Sequence, residues 1–259
     1  MEERKKEEIN YHNLIRGESV INDSQKQRYY YSNMKYYSAA RRTYAYQKEW
    51  LFSRCRGKKI LVLGCGNGAE SFFISENGGL LTGIDISDVA IKNARNTAIA
   101  KGLDKSISFE VMDAENLKFK NNSFDIITAS GMLHHTSFEK VISESARVLK
   151  IGGEMFCIEP LAYNPIFQLY RRITPHLRTK WEAEHILTKR EISISKKYFQ
   201  KIDLKFFHLI TLLAVPFRNT FLFNPFLGFL EKLDSIVLRL PGVKWLSWQI
   251  VLVLSKPKK

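Results

Sequence analysis

The run KILVLGCGNGAESFFISENGGLLTGID, residues 59–85, limits the fold of this chain more than any other stretch. Ile60, Leu61, Val62 and Leu63 form a short apolar run, and the glycine cluster Gly64-Cys65-Gly66-Asn67-Gly68 follows directly. A helix-like segment comes next, then Gly78-Gly79, then a second apolar run ending at Asp85. Short apolar runs bounded by glycine read as buried strands, so the order is strand, tight turn, helix, strand. Glycine at such a turn lets a ligand approach the backbone closely, and the N–H groups opening the helix point at that ligand. A carboxylate at the tip of the second strand can accept hydrogen bonds from both hydroxyls of a ribose. The stretch is therefore a nucleotide-binding βαβ unit. It does not choose the nucleotide: Gly64-x-Gly66-x-x-Ala69 also satisfies the dinucleotide fingerprint, and Asp85 would suit NAD equally well.

The alternation continues to Pro160. Strands are expected at 60–63, 80–84, 107–112, 124–129 and 154–158, with helices at 69–76, 89–101 and 138–149 between them. Ser87 is placed to cap the second helix, with Asp88 in its first turn. Lys150-Ile151-Gly152-Gly153 reads as a helix stop and turn before the fifth strand. Strands alternating with helices through short links build a parallel, doubly wound α/β sheet, and such sheets bind ligands at the carboxyl ends of their strands.

The flanks differ in character. Residues 1–58 look helical, and the segment 25–51 interleaves tyrosines with basic residues, which suits a helical lid over a pocket. After Pro160, helices are expected at 163–176, 189–199 and 221–240, and strands at 202–213 and 249–254. Residues 1–58 hold 13 Lys/Arg against 7 Asp/Glu, residues 59–160 hold 10 against 13, and residues 161–259 hold 17 against 6. The core is mildly acidic and the flanks carry the whole positive excess. That balance fits a soluble basic protein or an anionic partner, a membrane surface among them. The longest apolar run, residues 209–217, is too short to span a bilayer. The charged N-terminus lacks the apolar core of a signal peptide, and Cys55, Cys65 and Cys157 form no disulfide framework. A cytoplasmic protein, in part at the membrane periphery, is expected.

Four further stretches resolve the choice of nucleotide. With VLGCGNG at 62–68 stand GIDIS at 83–87, DAENLKF at 113–119, FDIITASGMLHH at 124–135 and LKIGGEMFCIEP at 149–160. As an ordered set over residues 59–160 they resemble the class I S-adenosylmethionine-dependent methyltransferases, of the group that includes the ubiquinone/menaquinone methyltransferases. The resemblance implies a Rossmann-like seven-stranded sheet, mostly parallel with an antiparallel last strand and helices on both faces. Residues 1–58 would then be a helical N-terminal lid and 59–160 the cofactor-binding core. Residues 161–259 would be substrate-cap helices plus strands six and seven, with a helical insertion before the last strand. It further implies that Gly64, Cys65, Gly66 and Gly68 flank the methionine part of S-adenosylmethionine and that Asp85 binds its ribose. Ile86 would pack on the adenine, Asp113 and Ala114 would contact its edge, and Ser130 would hold the amino-acid part. Glu70, at the start of the first helix, is expected to face solvent or the sheet edge.

Methyl transfer from a sulfonium is an SN2-like displacement on an already activated carbon, so the protein mainly aligns the reactants and excludes water. A general base is needed only where the acceptor must lose a proton. The candidates are His135 and His134, just past the fourth strand, and His185 in the WEAEH segment; Glu159 is a further pocket candidate. No metal is expected, because the adjacent histidines of a strand-end dipeptide point apart. The acceptor is expected to be small and hydrophobic or lipid-like, methylated on oxygen or carbon. A nucleic acid is disfavoured, since Ser130-Gly131-Met132-Leu133 replaces the Asn/Asp-Pro-Pro-aromatic signature of amino-methylating enzymes. The alternatives are an NAD-dependent oxidoreductase and a non-catalytic adaptor that keeps the pocket or docks on a membrane. The oligomeric state is not legible.

Overall fold

A computed structural model describes residues 2–17 and 35–259. The elements are α1 (Glu3–Arg16), α2 (Arg41–Phe52), β1 (Lys59–Leu63), α3 (Ala69–Glu76), β2 (Leu80–Asp85), α4 (Asp88–Ala100), β3 (Ile107–Val111), β4 (Phe124–Ser130), α5 (Phe138–Val148) and β5 (Leu149–Pro160). They continue with α6 (Pro165–Ile173), α7 (Lys180–Glu184), α8 (Lys189–Ile194), β6 (Phe199–Phe207), α9 (Phe223–Val237) and β7 (Gln249–Pro257). Of the expected lid, α1 and α2 are seen; the part of it, and of the tyrosine-rich segment, that falls on residues 18–34 lies outside the described residues.

The seven strands form one sheet in the order β3-β2-β1-β4-β5-β7-β6. β7 runs antiparallel to both β5 and β6, and the pairs among β1 to β5 are parallel. Alternation along the strands feeds two cores. Leu61, Leu63, Ile127, Ala129 and Met155 pack on the face covered by Val141 and Ile142 of α5. Ile60, Val62, Ile126 and Phe156 pack on the opposite face against Trp50 and Leu51 of α2 and Ile91 of α4. Both faces are covered, so the inner strands are apolar throughout rather than half polar. The order reverses between β1 and β4, and the crevice at that switch point is where a doubly wound sheet takes its ligand.

Local chemistry holds the helices in register. The Ser87 hydroxyl accepts the Ala90 N–H at 3.0 Å and starts α4, as its position implies. Thr188 and Glu191 form a reciprocal capping box on α8.

The sequence-based elements shift in three places. The sixth strand covers Phe199–Phe207 rather than 202–213. It stops because His208 takes a positive φ of 66° and Asp234 accepts the N–H groups of Leu209, Ile210 and Thr211, folding Thr211–Phe217 into a 3-10 turn. The fifth strand begins earlier than 154, at Leu149, because the Gly152-Gly153 turn is absorbed as an irregularity in its pairing with β4. The helix expected at 189–199 stops at Ile194 and passes through a 3-10 turn into β6. The helical insertion before the last strand is present, between β6 and β7, with α9 at its centre. Among the described residues no helix is long and apolar enough to cross a membrane.

Candidate functional site

Two adjoining cavities open over the carboxyl ends of the strands. The first, about 100 Å³, lies over β1 to β4. Its floor is Gly64, Asp85, Ile86, Asp113, Ala114 and Ser130, six of the nine residues expected at the cofactor. The other three do not line it. Gly66 donates its N–H to Asp85 Oδ2 at 2.9 Å and is covered by the Arg16 guanidinium. Gly68 faces Phe72 and Phe109, and Cys65 is buried in the same apolar cluster, where burial pushes its thiol up. Gly64 has φ +62°, and a Cβ there would stand 2.8 Å from Met132, so glycine is required on both counts.

The roof of this cavity is α1, and its basic side chains hold the floor's carboxylates. Arg16 reaches both oxygens of Asp85 at 3.3 Å. Lys5 reaches Asp113 at 2.7 Å and Glu115 at 3.0 Å. Asp85 also accepts the Ser87 N–H at 2.9 Å, so the side chain is fixed from three directions. Asn13 bonds Ser87 and Asp88 and ties the middle of α1 to the cap of α4.

The second cavity, about 250 Å³, meets the first at His12, Arg16, Ser130, Gly131 and His135. One wall is aromatic, from Tyr36, Tyr37, Tyr44, Phe167 and Trp248. The other carries charge. Glu159 is fully buried at the tip of β5; its Oε1 accepts the N–H groups of Met132 and Leu133, and its Oε2 stands 2.6 Å from His134 Nδ1. His135 Nδ1 stands 3.0 Å from Glu8 Oε2 of α1. Burial opposes the charged form of both partners of that second pair. The hydrogen bonds from His12, His135 and Thr179 nevertheless hold the Glu8 carboxyl low, and the Glu8 bond with the Glu182, Glu8 and Glu159 charges raises His135. Arg171 and Arg178 close the far end, both turned on Glu182. The Trp248 Nε1, Gln249 Oε1 and Arg178 Nε atoms are buried without a hydrogen-bond partner in this cavity's lining.

His134 and His135 thus come together at the cavities, and His185 does not. It is exposed, stacked flat on Trp181 at 3.5 Å, with Nδ1 at 2.9 Å from the Trp181 carbonyl. Glu70 departs from expectation in the other direction. It turns inward, accepting from Gln47 at 2.8 Å and from Ser130 at 3.0 Å, and burial raises its pKa. Sequence reasoning missed Glu8 and His12. Their signal was present: an acid and a histidine four apart on a helix share one face. The remainder of the second cavity, from Tyr36 to Gln249, left no local signal because its members are far apart in the chain.

Known proteins bear on the same region. A family of the description "methyltransferase domain" matches residues 61–157. The 27-O-demethylrifamycin SV methyltransferase of Amycolatopsis mediterranei is 36% identical over 101 residues, 38% of this chain and 37% of that protein. The ubiquinone biosynthesis O-methyltransferase of Idiomarina loihiensis is 33% identical over 133 residues, 51% of this chain and 50% of that one. The chain therefore matches half or less of the length of these curated relatives. Among solved structures, geranyl diphosphate C-methyltransferase from Streptomyces coelicolor A3(2), crystallised with S-adenosyl-L-homocysteine, superposes with a TM-score of 0.58 at 16% identity. That match covers 82% of this chain and 76% of the other, and it shows a shared fold. Residues 61–157 of this chain thus match the methyltransferase-domain family, and they lie within a seven-stranded sheet of the fold shared with that solved methyltransferase.

Proposed function

We propose that the protein transfers the methyl group of S-adenosylmethionine to an oxygen or carbon of a small acceptor. The observation that carries this reading is the seam between the cavities. A floor of glycine and carboxylates at the ends of β1 to β3 adjoins, within a few residues, a chamber with one aromatic wall that His12, His134 and His135 also line. In this reading Gly64 leaves room for the methionine part and Ser130 holds it, Asp85 takes the ribose hydroxyls, and Ile86, Asp113 and Ala114 frame the adenine. Arg16 and Lys5 release Asp85 and Asp113 as the cofactor enters. Residues 1–58 act as lid, 59–160 as cofactor core and 161–259 as acceptor cap.

The residues supply what the reaction needs. Alignment of sulfonium and acceptor in a chamber that excludes water contributes up to roughly 7–11 kcal/mol in well-oriented systems. An acceptor hydroxyl must also lose its proton, and a positioned imidazole adds about 10²–10⁴-fold. His134, oriented by Glu159, and His135 both stand where that proton leaves. The unpartnered Trp248 Nε1 and Gln249 Oε1, beside aromatic faces, suit a single hydroxyl-bearing ring. Isothermal titration with S-adenosyl-L-homocysteine tests the cofactor. Binding is expected, and no binding, or binding of NAD in its place, overturns the reading.

A membrane-bound acceptor is favoured by the outer surface of the cap. Ile166, Leu169 and Ile173 make an exposed stripe along α6, and Phe221, Phe229 and Ile236 are exposed in the insertion before β7. Exposed Arg172, Arg218, Lys232 and Arg239 lie among them. Apolar side chains set among basic ones fit an anionic lipid surface. Vesicles of phosphatidylserine should sediment the protein at low salt and release most of it at high salt; no sedimentation at low salt removes this reading.

A further inference from the structure

We infer that Glu8, His12 and His135 form a site for one divalent transition-metal ion of the zinc type, seated at the seam of the two cavities. This rests on the methyltransferase reading only for its purpose, since the binding itself needs none. The donor set is one carboxylate and two imidazoles, which suits Zn²⁺ and its first-row neighbours and leaves the remaining coordination positions for water or substrate. Donors about 2.0–2.1 Å from a tetrahedral ion stand roughly 3.3 Å from one another. Here Glu8 Oε2 lies 3.0 Å from His135 Nδ1 and 3.5 Å from His12 Nε2, and the three donor atoms all fall within 4.8 Å of one another. Among the described residues no other group of three such side chains meets that test.

The placement is as telling as the distances. Glu8 and His12 are one turn apart on α1, so a single helix face presents two ligands. The third comes from the turn after β4, on a separate part of the fold. The second Glu8 oxygen accepts the Thr179 hydroxyl, which fixes the carboxylate as outer partners of metal ligands do. Glu8 is 3% exposed, and among the described residues no Lys or Arg side chain makes a salt bridge with it; Arg4 is paired with Glu115 and Arg16 with Asp85. A buried carboxylate met by two imidazoles and a hydroxyl, with no Lys or Arg against it among the described residues, is suited to share its charge with a divalent ion. The expectation of no metal rested on the adjacent His134 and His135 pointing apart, whereas their ring centroids stand 4.3 Å from each other. It did not foresee α1 arriving over His135.

The open positions face the acceptor, because His12 and His135 line both cavities. An acceptor hydroxyl bound there loses its proton more readily. The proton passes to His134, whose Nδ1 is bonded to Glu159. The oxygen's electron pair forms the bond to the methyl carbon, the carbon–sulfur bond breaks, and its pair stays on sulfur as the neutral thioether. His135 is then a ligand, and the proton-accepting role rests on His134.

The test uses the full chain stripped of metal with chelator. Zn²⁺ alone is titrated calorimetrically, and S-adenosyl-L-homocysteine is titrated in parallel on the same samples. One Zn²⁺ per chain is expected. Affinity should fall by about 100-fold or more in Glu8→Gln and in His12→Ala and by about 10-fold in Thr179→Val. It should stay unchanged in His185→Ala, which alters an exposed histidine away from the seam. Zn²⁺ binding that is absent, or that survives both Glu8→Gln and His12→Ala, overturns the site. Each variant's binding of S-adenosyl-L-homocysteine reports that it is folded, and failure of that binding with Zn²⁺ binding intact strikes the cofactor reading alone.

Discussion

The two cavities share a rim and are built in opposite ways. The cofactor side takes its floor from the ends of consecutive strands, from Gly64 to Ser130, a span of 67 residues organised by one repeated strand-and-helix unit. The acceptor side draws on Tyr11, Tyr36, His134, Glu159, Phe167, Arg178 and Trp248, nearly the length of the chain. A site made by local units is fixed by backbone, through turns and strand ends. A site gathered from distant elements is fixed by side-chain packing and a few buried hydrogen bonds. The first kind tolerates change in its surroundings but not in its turns; the second kind behaves in reverse.

Substitutions can break or sharpen that contrast. The largest effect should come from the backbone of the cofactor side. Gly64→Ala places a Cβ 2.8 Å from Met132 at φ +62° and should cost about 2–3 kcal/mol of stability by denaturant unfolding. A variant as stable as the parent would mean that the turn is not rigid. Next, Asp85→Ala should weaken S-adenosyl-L-homocysteine about 30-fold, roughly 2 kcal/mol for two lost bonds to a charged acceptor, whereas Trp248→Ala should stay within about twofold. Equal losses in the two would erase the division between the cavities.

Third, acid should loosen the acceptor side first. His208 is buried between Thr43 and Thr211, and burial, with Arg42 nearby, lowers its pKa to about 3. The unfolded chain takes up that proton near pH 6.5, so the neutral form's stabilisation is complete above pH 6.5. It declines as pH falls from there towards 3, by about 1.4 kcal/mol per pH unit. His208→Gln should flatten that slope in unfolding measured from pH 7 to 4. The smallest effect concerns the roof. Arg16→Ala frees Asp85 from a partly exposed ion pair and should tighten S-adenosyl-L-homocysteine by severalfold, about 0.5–1 kcal/mol. Weaker binding would show that Arg16 helps to hold the cofactor instead.

The same contrast explains what could be read from the residues alone. The glycine turn, Asp85 and the FDIITAS strand announce themselves because spacing along the chain is the structure there. Six of nine expected cofactor-side residues reach one cavity, and the misses are physical. Gly66 and Gly68 serve the turn and the packing rather than the surface. On the acceptor side the apolar run after Phe206 is as good a strand as a turn by composition. Only Asp234, a quarter-hundred residues later, decides between them by capturing three N–H groups. His185 faces outward because Trp181, one helical turn earlier, offers it a ring and a carbonyl. Glu70 turns inward because Gln47 and Ser130 wait for it from two other elements. Trp181 apart, none of these partners is near in sequence.

The position of β7 has a consequence for how the chain is made. It is the last strand in the chain and yet an inner strand, paired on one side with β5 and on the other with β6. Until it is synthesised, β6 has no partner in the sheet, and β5 presents an open apolar edge. The helical insertion around α9 lies between β6 and β7 in sequence, so it must leave the ribosome before the slot it flanks can be filled. The five parallel strands β1 to β5 can assemble early, while the acceptor chamber is completed only when β7, which carries Gln249, slides home. An interrupted chain would therefore have a half-built sheet and an exposed edge, and it would be a target for aggregation or chaperone capture rather than a slow enzyme.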